Sequence, residues 1–154
     1  MKDLMQVLLQ GAKQNLIQNK SIIPVGFGIE QGKIKLPVLM PWRDDDQKYE
    51  AIYSFGKVCK ERGLYQAIII TDAAMKAMSP EQIKDPLERP LLYPKSMRQE
   101  CIIVVGQDFK INESIFLMQV YSDADNIISF IREPEFIDYF SGEIIKTLKK
   151  GYGA

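Results

Sequence analysis

Hydrophobic side chains recur with a helical period at three places along the chain. Residues 2–19 repeat apolar positions every three or four residues, with lysines and glutamines between them. Residues 44–62 also repeat apolar positions every three or four residues, and they begin with three consecutive aspartates. Acidic residues suit a helix start because their side chains cap free N–H groups there. A third apolar stripe follows Pro134, a residue suited to the first turn of a helix. The pattern therefore predicts helices at 2–19, 44–62 and 134–150.

A period of two predicts a β-hairpin over residues 22–40. Apolar positions fall at every second residue on both sides of Gln31-Gly32, which we interpret as a two-residue turn. In this register every apolar residue meets an apolar one, and a slip of one residue would destroy all of the pairings. The predicted pairs are Ile29–Ile34, Phe27–Leu36, Val25–Val38 and Ile23–Met40.

The other face of the predicted hairpin carries unusually small side chains. Gly26 and Gly28 leave a bare patch, which we interpret as a packing site for a helix or an aromatic ring, with a bound ligand as the alternative. Pro24 and Pro37 cannot donate a hydrogen bond to a strand ladder. The hairpin is therefore predicted to lie at an edge of its sheet or to contain a bulge.

The remaining apolar runs complete a sheet of about six strands. Residues 64–72 predict one strand, and residues 100–133 predict a three-stranded meander with short turns rich in Gly, Asn and Asp. The order predicts a single α+β domain over residues 1–154 built on one mainly antiparallel sheet. Four of the strands are apolar on both faces, so both faces of the sheet need cover. Three helices are too few for this, and we predict a homodimer that buries a face or an edge.

A long proline-rich segment, residues 73–100, separates two of these strands. Connections longer than about 12–15 residues are usually functional or disordered, and this one contains large apolar side chains that need something to pack on. Polar residues at its two ends would cluster at one sheet edge beside those apolar groups. The candidate ligand- or partner-binding residues are Asp72, Leu91, Leu92, Tyr93, Lys95, Arg98 and Glu100.

Composition excludes several kinds of chemistry. The chain has no histidine, which removes Ser–His and Cys–His nucleophile pairs and His-ligated metal sites. Cys59 and Cys101 are far apart in the sequence and are interpreted as core residues. The run Asp44–Asp46 is interpreted as a helix cap and Asp123 with Asp125 as a turn, because the second pair lacks the remaining ligands of a calcium loop. We therefore predict no catalytic residue, no metal and no cofactor.

Charge and targeting signals point to an ordinary soluble protein. Twenty basic and twenty acidic residues cancel, so no overall field favours nucleic acid or a membrane surface. The acidic residues are nevertheless concentrated, with eight acidic and two basic side chains between residues 108 and 143. No apolar run approaches the roughly 20 residues of a membrane span, and the start of the chain does not resemble a signal peptide. We predict a cytoplasmic protein that binds neither nucleic acid nor membranes.

Two functional hypotheses follow from these observations. The first is a non-catalytic domain that self-associates and binds a protein partner, with residues 73–100 as a docking or covering element. The alternative is a small-molecule-binding domain, or an enzyme using a carboxylate or lysine, with its site near Asp72 and residues 95–100. A ligand site predicts a concave pocket with a perturbed carboxylate or lysine, whereas an interaction domain predicts an exposed apolar surface around residues 91–93.

Overall fold

The chain folds into helices and strands in the order that its hydrophobic pattern predicts. The computed structural model describes residues 1–76, 98–138, 140 and 142–153. Within them, every strand pairing is antiparallel and the sheet order is β2-β1-β3-β4-β5-β6, which confirms the α+β class and the six-stranded sheet. The elements are α1 (Lys2–Asn19), β1 (Val25–Glu30), β2 (Lys33–Leu39), α2 (Asp45–Glu61), β3 (Gln66–Lys76), β4 (Arg98–Asp108), β5 (Glu113–Ser122), β6 (Ser129–Ile137) and α3 (Gly142–Tyr152).

The aspartate run at the start of α2 caps the helix, as predicted. The Asp44 carboxylate accepts a hydrogen bond of 2.8 Å from the backbone N–H of Gln47. The Gln47 side chain reaches back and accepts a 2.9 Å bond from the N–H of Arg43, so two free backbone donors are satisfied. Asp45 and Asp46 occupy the first turn, where negative charge suits the helix dipole.

Helices cover both faces of the sheet, but unequally. On one face α1 packs across β3, β4 and β5 and buries Met5, Leu9 and Leu16 completely or almost so. On the opposite face α2 and α3 lie together, with Phe55 and Leu148 in a second buried cluster. Both sheet faces are therefore apolar in the centre, as the sequence predicts. Among the described residues, α1 contacts mainly β3, β4 and β5, which leaves the α1 side of β2 and of the first residues of β1 less covered.

The β1–β2 hairpin forms at the sheet edge, but its predicted register is correct only next to the turn, as far as the Ile29–Ile34 pair. Glu30 pairs with Lys33 and Ile29 with Ile34, after which Lys35 is an unpaired bulge residue. The pairs that follow are Gly28–Leu36, Phe27–Pro37, Gly26–Val38 and Val25–Leu39. The bulge is favoured because Leu36 and Val38 then share the glycine face with α2 above them, while Phe27 and Val25 turn to the α1 side.

The bare glycine face receives an aromatic ring from a helix, as one interpretation of the sequence anticipated. A Cβ atom added at Gly26 would lie 2.8 Å from ring atoms of Phe55, a contact closer than real Cβ atoms make. One added at Gly28 would lie 2.5 Å from Leu64 Cδ1. The two glycines thus let α2 and the segment after it approach β1 closely.

The segment predicted as a loop at 73–100 is shorter than predicted, because strands extend into both of its ends. β3 continues to Lys76 and β4 begins at Arg98, and these two residues are paired across the ladder. Ala73 and Ala74 pair with Cys101 and Glu100 and so extend β3. The predicted strand ended at residue 72 because the apolar run ends there. Residues 77–97 lie outside the described part of the chain.

The predicted start of the last helix is also wrong. Residues 134–137 belong to β6, and α3 begins at Gly142. Three residues of β6, Arg132 to Pro134, stand opposite Gln119 alone, with Arg132 at φ 66°. Pro134 suits such a bulge as well as it suits a first helical turn, because it has no N–H to leave unpaired. The buried Gln119 amide donates a 3.0 Å bond to the carbonyl of Arg132 and thereby holds the bulge.

Candidate binding groove

The structure brings together part of the site predicted from the sequence. Asp72 pairs with Ile102 and Ala74 with Glu100, so alternation places Asp72 and Glu100 on the same face of neighbouring strands. The backbone of Arg98 lies at the end of this ladder, and its side chain is outside the described part. Four further predicted residues, Leu91, Leu92, Tyr93 and Lys95, lie outside the described residues, so their grouping stays a prediction.

A lysine that the sequence analysis did not select interacts with Asp72. Burial raises the pKa of Asp72, although part of its side chain stays exposed, and the Lys48 charge works in the opposite direction. Burial lowers the pKa of Lys48, against the attraction of Asp45 and Asp72. The Lys48 Nζ lies 5.7 Å from the ring centre of Tyr49 and 5.9 Å from that of Trp42. These contacts describe a partly buried cation held by aromatic rings and carboxylates, with Lys48 placed by α2.

The two thiols are unsuited to nucleophilic chemistry. Cys59 and Cys101 are both fully buried, and burial raises the pKa of each to about 12. Both thiols are therefore protonated at neutral pH, in agreement with the core role predicted for them. Among the described residues, no group of three or more His, Cys, Asp or Glu side chains is arranged to hold a metal ion.

A groove of about 550 Å³ lies beside α1, above the part of the sheet that no described helix covers. Its floor is formed by the α1-facing side of the hairpin, where the shifted register pairs Val25 with Leu39 and Phe27 with Pro37. The register predicted from the sequence would have placed Val25 and Phe27 on one face and Pro37 and Leu39 on the other. The Lys35 bulge is therefore what gathers these four side chains into one apolar floor.

The helix wall of the groove comes from the side of α1 that faces away from β6. Val7, Leu8 and Ala12 contribute apolar surface, and Gly11 leaves a gap between them. A Cβ atom added at Gly11 would meet nothing within 4 Å, in contrast to the crowded glycines of β1. The absence of a side chain at Gly11 therefore widens the groove, although no neighbour in the described structure is close enough to require a glycine there.

One end of the groove is polar but uncharged. Asn15 and Asn19 lie one turn apart near the end of α1, and Ser21 follows the helix. Fourteen residues in the described part of the chain line the groove; among them these are the only polar side chains, and none is charged. Amides and a hydroxyl can both donate and accept hydrogen bonds, so this end suits a neutral polar group.

The rim of the groove exposes large aliphatic side chains. Leu39 of the floor is 69% exposed, Val7 of the helix wall 66% and Ile23 57%. Scattered exposed aliphatic residues are ordinary, but these three line one concavity. The sequence signal for this surface is weak, because Val7 lies off the main stripe of α1 and Leu39 follows a proline in an edge strand. The hydrophobic pattern of the sequence alone therefore does not predict the groove.

No helix among the described residues is long and apolar enough to cross a membrane. Comparison of the chain with protein-family models, with curated proteins and with solved structures returned no match, so the groove has to be interpreted from its own geometry.

Proposed function

We propose that the protein is a non-catalytic binding domain for a small, uncharged amphiphile with an apolar body and one neutral polar end. The observation that carries this proposal is the groove beside α1, which combines an apolar floor and wall with a polar end and has no charged residue among its described lining residues. Its volume of about 550 Å³ lies within the range of small-molecule sites, roughly 300–1,000 Å³. Such sites are typically apolar with a few polar groups that fix the orientation of the ligand.

Hydrophobic transfer supplies the affinity in this proposal. Each methylene group moved from water into an apolar site contributes about 0.8 kcal/mol, so two more methylenes in a chain strengthen binding roughly tenfold. The body of the ligand lies over Phe27 and Pro37, and its polar end lies against Asn15 and Asn19. Affinity rises with chain length until the groove is full and then stops rising.

The absence of lining charge supports selectivity for a neutral polar end. A carboxylate moved out of water without a cationic partner costs several kcal/mol, whereas a hydroxyl or amide costs little when hydrogen-bonded. Since the described lining residues include no lysine or arginine, a fatty alcohol is expected to bind more tightly than the fatty acid of equal length.

Gly11 offers a direct test with a matched control. Gly11→Leu adds a side chain from the helix wall into the groove, and Gly11→Ala adds only a methyl group at the same position. We expect the neutral dye Nile red to bind the wild-type protein and Gly11→Ala similarly, and Gly11→Leu at least about tenfold more weakly. Binding is measured by fluorescence titration, with the folding of each variant checked by its thermal transition.

A second variant acts from the opposite side of the groove. Leu39→Glu places a charge at the rim, where the side chain is 69% exposed and little folding energy is lost. Weaker dye binding in both Gly11→Leu and Leu39→Glu supports the proposal. Unchanged dye binding in both variants would place the apolar site elsewhere and overturn it.

The proposed ligand site is the groove beside α1 and not the sheet edge near Asp72, where the small-molecule alternative drawn from the sequence placed it. A protein-interaction role for residues 91–93 stays a prediction, because they lie outside the described residues. The exposed aliphatic rim favours one further candidate for the groove itself, an apolar peptide segment of a partner. A dye displaced by peptides but not by fatty alcohols would favour that candidate.

A further inference from the structure

The two edges of the sheet carry charges of opposite sign. β2 forms one edge, and its only charged side chains are Lys33 and Lys35, both exposed. β6 forms the opposite edge and carries Glu133 and Glu135 with one basic residue, Arg132, all three exposed. Exposed Asp125 and Asp138 flank β6 and add to its negative charge. Four of the eight acidic residues between 108 and 143 therefore lie on or beside this edge, away from the basic edge.

Both edges also expose aliphatic side chains beside these charges. On the β2 edge, Leu39 is 69% and Ile34 39% exposed. On the β6 edge, Ile127 is 62% and Ile131 39% exposed. Each edge thus combines apolar side chains with an excess of one charge, although Glu30 pairs with Lys33 at the first edge and Lys2 and Lys13 of α1 lie over Phe136 and Phe130 at the second. Apolar side chains beside an excess of one charge are typical of an association surface.

Neither edge is suited to pairing with another strand. Met40 N–H donates inward to the carbonyl of Pro24, so alternation turns the nitrogen of Pro37 outward, where it has no proton to donate. On β6, the three-residue bulge that includes Pro134 interrupts the ladder. Prolines, lysines and bulges are devices that prevent edge-to-edge sheet extension. Contacts at these edges would therefore be made by side chains.

We propose that copies of this chain associate head to tail, the basic β2 edge of one copy against the acidic β6 edge of the next. A contact between two different surfaces of the same molecule repeats, so it produces a ring if the rotation closes and a filament if it does not. Leu39 belongs both to this edge and to the groove, but none of the four charged residues tested is among the described lining residues, so the assembly does not require the ligand proposed for the groove. It also differs from the homodimer predicted from the sequence, because a two-fold dimer would pair each edge with a copy of itself.

A charge exchange tests the proposal. One variant, Lys33→Glu with Lys35→Glu, makes both edges acidic, and another, Glu133→Lys with Glu135→Lys, makes both edges basic. We expect the average mass of the wild-type protein in sedimentation velocity to rise with protein concentration at about 50 mM salt and to fall at about 500 mM, where charges are screened. Each variant alone is expected to be monomeric, and an equimolar mixture of the two is expected to assemble again.

The mixture also controls for misfolding, because an unfolded variant could not restore assembly. Lys33→Glu faces Glu30 across the hairpin, so Lys35→Glu alone, at the unpaired bulge residue, provides a milder version of the first variant. Lys57→Glu, an exposed lysine of α2, is the matched control and should assemble like the wild type. A monomeric wild-type protein at low salt, a dimer of fixed size unaffected by both exchanges, or a mixture that stays monomeric would each overturn the proposal.

Discussion

The contact between Gly26 and Phe55 can be tested by adding a single methyl group. Gly26→Ala places a Cβ atom 2.8 Å from two atoms of the Phe55 ring, and Phe55 is only 2% exposed, so the ring has little room to move. Added methylene groups in a packed core typically cost about 1–3 kcal/mol. Replacing glycine by alanine in a strand returns about 0.5–1 kcal/mol of backbone entropy. The middle values of these two ranges give a net expected loss of unfolding free energy of about 1 kcal/mol.

A double-mutant cycle separates this steric effect from any other consequence of the substitution. Phe55→Leu alone should also destabilise the protein, because it removes part of a buried ring. In the double variant the new methyl group occupies space that the ring has left. The combined loss should therefore be smaller than the sum of the single losses by about 1 kcal/mol, as is common for residues in direct contact.

Urea unfolding at equilibrium, followed by circular dichroism, measures each free energy. Gly11→Ala is the matched control, because the same change on the open side of α1 meets nothing and should stabilise the protein by up to about 1 kcal/mol. A neutral Gly26→Ala, or strictly additive effects with Phe55→Leu, would refute the packing described for β1 and α2.

Further predictions concern two aspartates whose pKa values move in opposite directions. Partial burial works to raise the pKa of Asp108, but hydrogen bonds from Gln66 and the backbone of residues 110 and 111 outweigh it and lower the pKa. Its ionised form therefore stabilises the fold above the unfolded pKa of about 3.9, and this contribution is lost as pH falls through the lower folded pKa. Asp108→Ala should cost about 2 kcal/mol at pH 7 and less near pH 2, as measured by urea unfolding at both pH values. Burial raises the pKa of Asp72, so its ionised form carries a penalty above the folded pKa that disappears on acidification. Asp72→Asn should therefore raise Tm at pH 7 and change it less at pH 3, and a lower Tm at pH 7 would show that the attraction to Lys48 exceeds the cost of burial.

The features that the sequence predicts well are those set by local patterns. Asp44 caps α2 because its side chain and the following turn supply all of the partners needed. Alternation of apolar residues locates β1 and β2, and continuous apolar runs locate the central strands because both of their faces are buried. The close approach at Gly26 was also foreseeable, since two glycines on one face of a strand leave space that a neighbour can fill.

The features that the sequence does not predict depend on distant contacts. The Lys35 bulge is favoured by what α2 and α1 place on either side of the hairpin, and neither is visible in the alternation itself. Pro134 fits a bulge and a helix start equally well, and the choice depends on Gln119 in another strand. The groove was missed for the same reason, because it exists only where α1 stops covering a sheet whose register the bulge has changed.

The most direct test of the proposed function compares 1-dodecanol with dodecanoate in an amide NMR titration of the intact chain. The apolar body of dodecanol is one methylene longer than that of dodecanoate, which accounts for about 0.8 kcal/mol or roughly fourfold in affinity, so a tenfold difference exceeds what the chain supplies. We predict that dodecanol shifts the amide signals of Gly11, Asn15 and Phe27 and binds at least about tenfold more tightly than the carboxylate. Equal affinities, or shifts confined to residues away from the groove, would contradict the account.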